Sequence, residues 1–201
     1  MSTDSNNATR LRTGEYTLRP NVAPDKHAPA IILLHWATVL AVVIAVAAIY
    51  ARELTEDKGL RQLLLDVHRQ LGLLILLGLA LRLAVRYAKG FADHAGEMHV
   101  LLRWAALLTH VALYAALLAI PLLGWAASNA HDIKLNLLGV IPLPDLVKAD
   151  SDLSDTLDDY HKWAAWAAGI LVLMHAGAAL WHHYVRKDAV LTAMLPRRGS
   201  R

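Results

Sequence analysis

Four long apolar stretches decide what this chain can fold into. They run over about 29–50, 66–87, 101–127 and 160–184. A helix needs about 20 mostly apolar residues to cross a hydrocarbon core of roughly 30 Å, and each stretch qualifies. Each is too long for a single strand, and none alternates with period two. The pattern argues against a barrel. It predicts an all-α integral membrane protein, a four-helix bundle. Pro121 predicts a kink near the far end of the third helix, which membrane helices tolerate. The 56% hydrophobic content exceeds that of an ordinary soluble domain.

The flanks set the direction of insertion. Residues 1–28 are polar and lack the apolar core of a cleavable signal peptide, so the first apolar stretch is expected to direct its own insertion. Lysine and arginine accumulate on the cytoplasmic side. Arg10, Arg12, Arg19 and Lys26 precede the first helix; Arg82, Arg86, Lys89 and Arg103 border the second connection. Arg186, Lys187, Arg197, Arg198 and Arg201 follow the fourth helix. The third connection is acidic instead, with Asp132, Asp145, Asp150, Asp152, Asp155, Asp158 and Asp159 against Lys134 and Lys148. Both termini and the second connection are therefore expected in the cytoplasm, in a multi-pass arrangement. The expected organisation is a flexible cytoplasmic tail over 1–28, a membrane domain over 29–187, and a basic cytoplasmic tail over 188–201. "LGVIPLPDLV", in the third connection, is expected to lie along the outer interface.

Composition removes several chemistries. With no cysteine, disulfides, thiolate metal sites, iron–sulfur clusters and cysteine nucleophiles are excluded. The net charge of +3 is small, and the basic residues are not interleaved with aromatics as a nucleic-acid surface requires.

The histidines carry the functional signal. His161 and His175 lie fourteen residues apart on the fourth helix. That is roughly 21 Å along the axis and about 40° from one face. His68, near the outer start of the second helix, matches the depth of His161. His35, on the cytoplasmic side of the first helix, matches His175. A single membrane histidine could equally well bond a neighbouring helix. Four at two paired depths point to ligands. Two opposed imidazoles at each of two levels are what two bis-histidine haems require. Gly72, Gly169, Gly177 and the alanines of "HKWAAWAAG" would leave room for the macrocycles.

Other side chains stay open at this stage. Arg82 lies fourteen residues after His68, and either holds an inner haem propionate or snorkels to the interface. Arg86 fits snorkelling at least as well. His110 could bond a propionate, a quinone or a neighbour. His182, within about 20° of the face of His175, is either a quinone donor with a proton route or an interfacial anchor beside Trp181 and Tyr184. His183 is the weaker candidate. His27, His94, His99 and His131 are expected at or outside the interface.

"LLHWATVLAV", "DVHRQLGLLILLGLALRLAVR", "LTHVALYAALLAIPLLGW" and "YHKWAAWAAGILVLMHAGAALWHHYVRKD" together resemble the bacterial cytochrome b561 family, over essentially the whole chain after residue 28. The resemblance implies four membrane helices and two b-type haems with His35, His68, His161 and His175 as axial ligands. It also implies electron transfer to or from quinone. Some members are similar to superoxide oxidases, which pass an electron from periplasmic superoxide to ubiquinone. The acidic outer connections should repel that anion, although Arg52, Arg61, Arg69, Lys134 and Lys162 could form a positive funnel.

Three functions follow. The leading one is a di-haem conduit between a small periplasmic donor and the quinone pool, with the lipid bilayer as its setting. The second is a haem-bearing anchor that passes electrons between quinone and an extrinsic dehydrogenase or reductase. The third is a haem-free membrane protein using histidines for a divalent metal or protons. Such sites usually add carboxylates, and here the acids lie at the helix ends.

Overall fold

Proline at the first helical position has its φ already set for a helix, and Pro29 opens helix α1, Pro29–Glu53. The computed structural model describes residues 29–89 and 100–195. Helix α2 covers Lys58–Lys89, α3 Val100–Ala130 and α4 Ser151–Trp181. All four are long and apolar enough to span a bilayer.

Two helices begin earlier than hydropathy indicates. Helix α2 starts at Lys58 rather than near 66, and α4 at Ser151 rather than near 160. Aspartates cap both starts. Asp57 Oδ1 accepts from the Leu60 N–H at 2.7 Å, and Asp150 Oδ1 from the Leu153 N–H at 2.9 Å. Each satisfies a backbone donor that has no partner in the first turn. Polar residues thus extend these helices beyond the apolar spans. Helix α3 continues through Pro121.

Consecutive helices pack: α1 on α2, α2 on α3, α3 on α4. The packed faces use small and branched residues, including Ala45 and Ala48 of α1 and Leu73, Ile75 and Leu79 of α2. Helix α4 buries little besides Ser154. Its Trp163, Trp166, Ile170 and Leu173 are exposed, as lipid-facing residues are. The architecture is an all-α membrane four-helix bundle.

The α1–α2 and α3–α4 connections share one end of the bundle, called here the loop end. There β1 (Asn136–Leu137) and β2 (Ile141–Pro142) form a short antiparallel hairpin, with Leu137 opposite Ile141. Its turn uses Leu138 and Gly139 at φ 54° and 74°. Gln70 pins it to α2, donating to the Asn136 carbonyl at 2.9 Å and accepting from the Leu138 N–H at 2.8 Å. "LGVIPLPDLV" supplies the turn and β2, with Leu138, Val140 and Ile141 exposed. Buried Asn129 holds the other side of this connection, accepting from the Leu146 N–H and donating to the Ile133 carbonyl and Asp145.

The opposite end carries the start of α1 and the finish of α4 and is called the terminal end. After α4 comes a π-helical turn, His182–Arg186, which stops at Lys187 in the left-handed conformation with φ 54°. The chain then folds back to α1, where the Trp36 indole N–H donates to the Met194 carbonyl at 2.8 Å. Ala193 is buried in this strap.

Candidate functional site

Matching helix registers bring the four span histidines into two pairs. His68 lies ten residues after the start of α2, and His161 ten residues after the start of α4. Their ring centroids are 5.9 Å apart. His35 lies six residues after the start of α1, and His175 six residues before the end of α4. Their centroids are 6.4 Å apart. The pairs meet at two levels, one toward the loop end and one toward the terminal end.

Each ring of the first pair has one nitrogen already engaged. His68 Nδ1–H donates to the Ala45 carbonyl at 3.0 Å, and His161 Nδ1–H to the Ile120 carbonyl at 2.9 Å. A carbonyl can only accept, so these bonds fix the tautomer and leave a lone pair on each Nε2. This is the outer-shell arrangement that orients imidazoles ligating metals.

His161 also depends on Gly124. A Cβ at Gly124 would lie 3.1 Å from His161 Cε1 and 3.2 Å from Nδ1. Only a glycine lets α3 approach this ring so closely. Sequence reasoning singled out Gly72, Gly169 and Gly177 and passed over Gly124; the signal was its spacing in "IPLLGW". At Gly72, Gly169 and Gly177 an added Cβ meets no heavy atom within 4 Å.

The second level gathers more cationic and aromatic groups. Arg82 is 8% exposed. Its Nη1 lies 3.5 Å from His35 Nδ1, and its guanidinium carbon sits 5.4 Å from the Tyr114 ring centroid. Its Nε is buried without a hydrogen-bond partner. Arg86 Nη1 donates to the Tyr114 hydroxyl at 3.2 Å, so Tyr114 ties the two arginines together. His110 is exposed on α3, with its ring 5.3 Å from that of His175. Its Nδ1–H donates to the Ala106 carbonyl at 2.7 Å.

At the terminal end His182 Nδ1 and Asp188 Oδ2 are 2.5 Å apart. His183 meets the Tyr184 ring instead, at 4.8 Å. Burial pushes the Asp188 carboxyl up, but the His182 and Val190 hydrogen bonds and the charges of His182 and Arg186 outweigh it, holding the carboxyl below its ordinary range. At the loop end, His131 pairs with Asp158 at 3.0 Å. His27, His94 and His99, and the tail over 1–28, lie outside the described residues.

The donor set can be tested against a cofactor. A metal between two imidazoles, with metal–nitrogen bonds of ~2.0 Å, places the ring centroids about 6 Å apart. Both pairs meet that spacing; the His110–His175 distance is shorter and suits a direct ring contact. Among the described residues no group of three or more His, Cys, Asp or Glu could hold a metal ion. A bare ion would find two protein ligands at each level, whereas haem iron brings four nitrogens of its own. The buried Arg82 guanidinium, with no carboxylate partner among the described residues, suits an anionic side group such as a propionate.

The prokaryotic cytochrome b561 family profile matches residues 26–197. The chain belongs to the prokaryotic cytochrome b561 family. It is similar to cytochrome b561 homolog 1 of Escherichia coli, at 32% identity over 168 residues, covering 83% of this chain and 95% of the relative. Cytochrome b561 homolog 2 of the same organism is 30% identical over 135 residues, 67% of this chain and 72% of the relative. A probable superoxide oxidase CybB of Yersinia pestis is 28% identical over 165 residues, 82% of this chain and 93% of that protein. Membership makes this chain a membrane b-type cytochrome, and haem b the family's cofactor.

Proposed function

We propose that this cytochrome carries electrons between a periplasmic donor and the membrane quinone pool, using two haems. The observation that carries the reading is the two histidine pairs at two depths, each spaced for an intervening iron. His68 and His161 would hold one haem, His35 and His175 the other. Bound haem iron supplies one-electron redox chemistry. The protein supplies the axial nitrogens and the carbonyls of Ala45 and Ile120 that orient two of them. It also supplies the Arg82 cation, which would pair with a propionate of the second haem. His110, in ring contact with His175, shapes the surroundings of that ligand.

The excess of lysine and arginine at the termini and the second connection supports a cytoplasmic terminal end. The His68–His161 level then faces the periplasm. Quinone would react at the terminal end near His182, whose imidazole exchanges protons with the cytoplasm. Superoxide is the first donor to try, because one relative is named a probable superoxide oxidase. Proteoliposomes holding the full chain and a short-chain ubiquinone should reduce the quinone when superoxide is generated outside. Superoxide consumption equal to that of protein-free vesicles would remove superoxide as the donor.

A second reading has its own observation. The polar extension of α4 beyond the span exposes Asp152, Asp155 and Asp159, a surface suited to a basic extrinsic redox protein. If that reading holds, the purified chain shows haem but turns over only when such a partner is added.

A further inference from the structure

The strap after α4 contains a carboxylate that the proposed function leaves unused. We propose that Asp188 is the positioning residue of the cytoplasmic proton-transfer site. Its carboxylate fixes His182 as the Nδ1–H tautomer, leaving Nε2 as the atom that gives a proton to the quinone. The inference rests on the reading of the terminal end as the quinone end.

The geometry of this pair is built by the backbone. Lys187, in the left-handed conformation, ends the π-helical turn and turns the chain back. The Asp188 N–H donates to the His182 carbonyl at 3.2 Å, closing the loop on the very residue that its side chain meets. Oδ2 faces His182 Nδ1. Oδ1 is occupied separately, accepting from the Val190 N–H at 3.2 Å. Arg186 Nε lies 3.7 Å from Oδ2. The carboxylate is thus oriented from three sides. The His182 side chain is 12% exposed and that of Asp188 33%, so the imidazole is the more enclosed member.

The groups around the imidazole leave one role for Nε2. Arg186, Lys187 and Asp188 are the charged residues at this turn; Asp188 and Arg186 form the ion pairs there, and the Trp181 ring flanks His182 at a centroid distance of 5.3 Å. An ionised carboxylate can only accept a hydrogen bond, so Nδ1 must carry a proton whether the ring is neutral or charged. Only Nε2 changes protonation. This is the division of labour by which a carboxylate orients a histidine acting as acid and base. The strap itself is held at its far end by the Trp36–Met194 hydrogen bond, one residue from His35. It therefore joins the dyad to the second histidine level.

The proton balance is simple. Reduction of a quinone to a quinol adds two electrons, supplied by the periplasmic donor through the cytochrome, and two protons. Nε2–H of the charged ring gives a proton to a quinone oxygen. The neutral ring retakes one from cytoplasmic water before the second transfer.

The test uses the full-length haem-loaded protein, pre-reduced and mixed with a short-chain ubiquinone in a stopped flow. Asp188→Asn is expected to slow reoxidation about tenfold, part of the roughly 10²–10⁴-fold that a positioned acid–base group supplies, with half-saturating quinone unchanged. Asp188→Glu should recover at least a third of the original rate. In ¹⁵N-histidine spectra, the Nδ1–H signal absent from His182→Gln should also be lost in Asp188→Asn and kept in Asp188→Glu. An Asp188→Asn protein with the original rate and signal overturns the proposal and leaves the quinone reading standing. So does an Asp188→Glu protein at a tenth of the original rate or less, an outcome that needs no asparagine rate and so decides the matter if Asp188→Asn loses its haem. His182→Gln with the original rate overturns both.

Discussion

At the scale of single residues, His161 is the most tightly specified side chain of the first pair. It is held by the Ile120 carbonyl and by contact with Gly124. Gly124→Ala forces a methyl group to within 3.1 Å of the ring. Overpacking of this kind costs about 1–3 kcal/mol, and the ring is the part able to move. The variant is expected to fold and to carry less haem at the first level, measured as haem per chain. Arg82 predicts a different outcome. A fixed cation beside a haem favours the reduced state, so Arg82→Gln should lower the potential of one haem. The shift should be on the order of 60 mV, a tenfold change for a one-electron couple, and a redox titration reads it. The histidines were legible in the sequence because helical rise converts residue spacing into depth. Gly124 and Asp188 were not. The importance of each depends on a partner from another turn or helix, which spacing along one helix does not reveal.

Elements show where hydropathy stops being informative. It located the membrane portions of α2 and α4 but not their polar first turns, which Asp57 and Asp150 stabilise by capping. Loss of an N-cap costs about 1 kcal/mol. Asp150→Ala should therefore fray the first turns of α4 and lower the thermal midpoint slightly, with the haem spectrum retained. The strap is the other element that hydropathy leaves dark. Its residues 188–195 read as a basic tail in sequence, yet they return to α1 through Met194. The Trp36→Phe variant removes that bond, worth about 0.5–1.5 kcal/mol net, and should make the C-terminal segment cleave faster in limited proteolysis. The Asp188 carboxyl, held below its ordinary range when folded, stabilises the strap fully above the free-carboxylate range. That contribution disappears as pH falls through the lowered folded value. Strap protection should be insensitive to moderate acidification as far as Asp188 is concerned.

For the whole molecule, the sparse packing of α4 fits the role proposed for it. Two of its histidines face α1 and α2, while the helix packs directly against α3. A helix that offers rings to two partners across a gap buries little of its own surface against protein. The central claim is that each gap between paired rings holds one haem. The direct measurement is a reduced-minus-oxidised difference spectrum of the purified full-length protein, with haem quantified per chain. The account predicts two low-spin b haems, falling to one in His68→Ala or His161→Ala. One haem in the unaltered protein, or two retained in both variants, would contradict it.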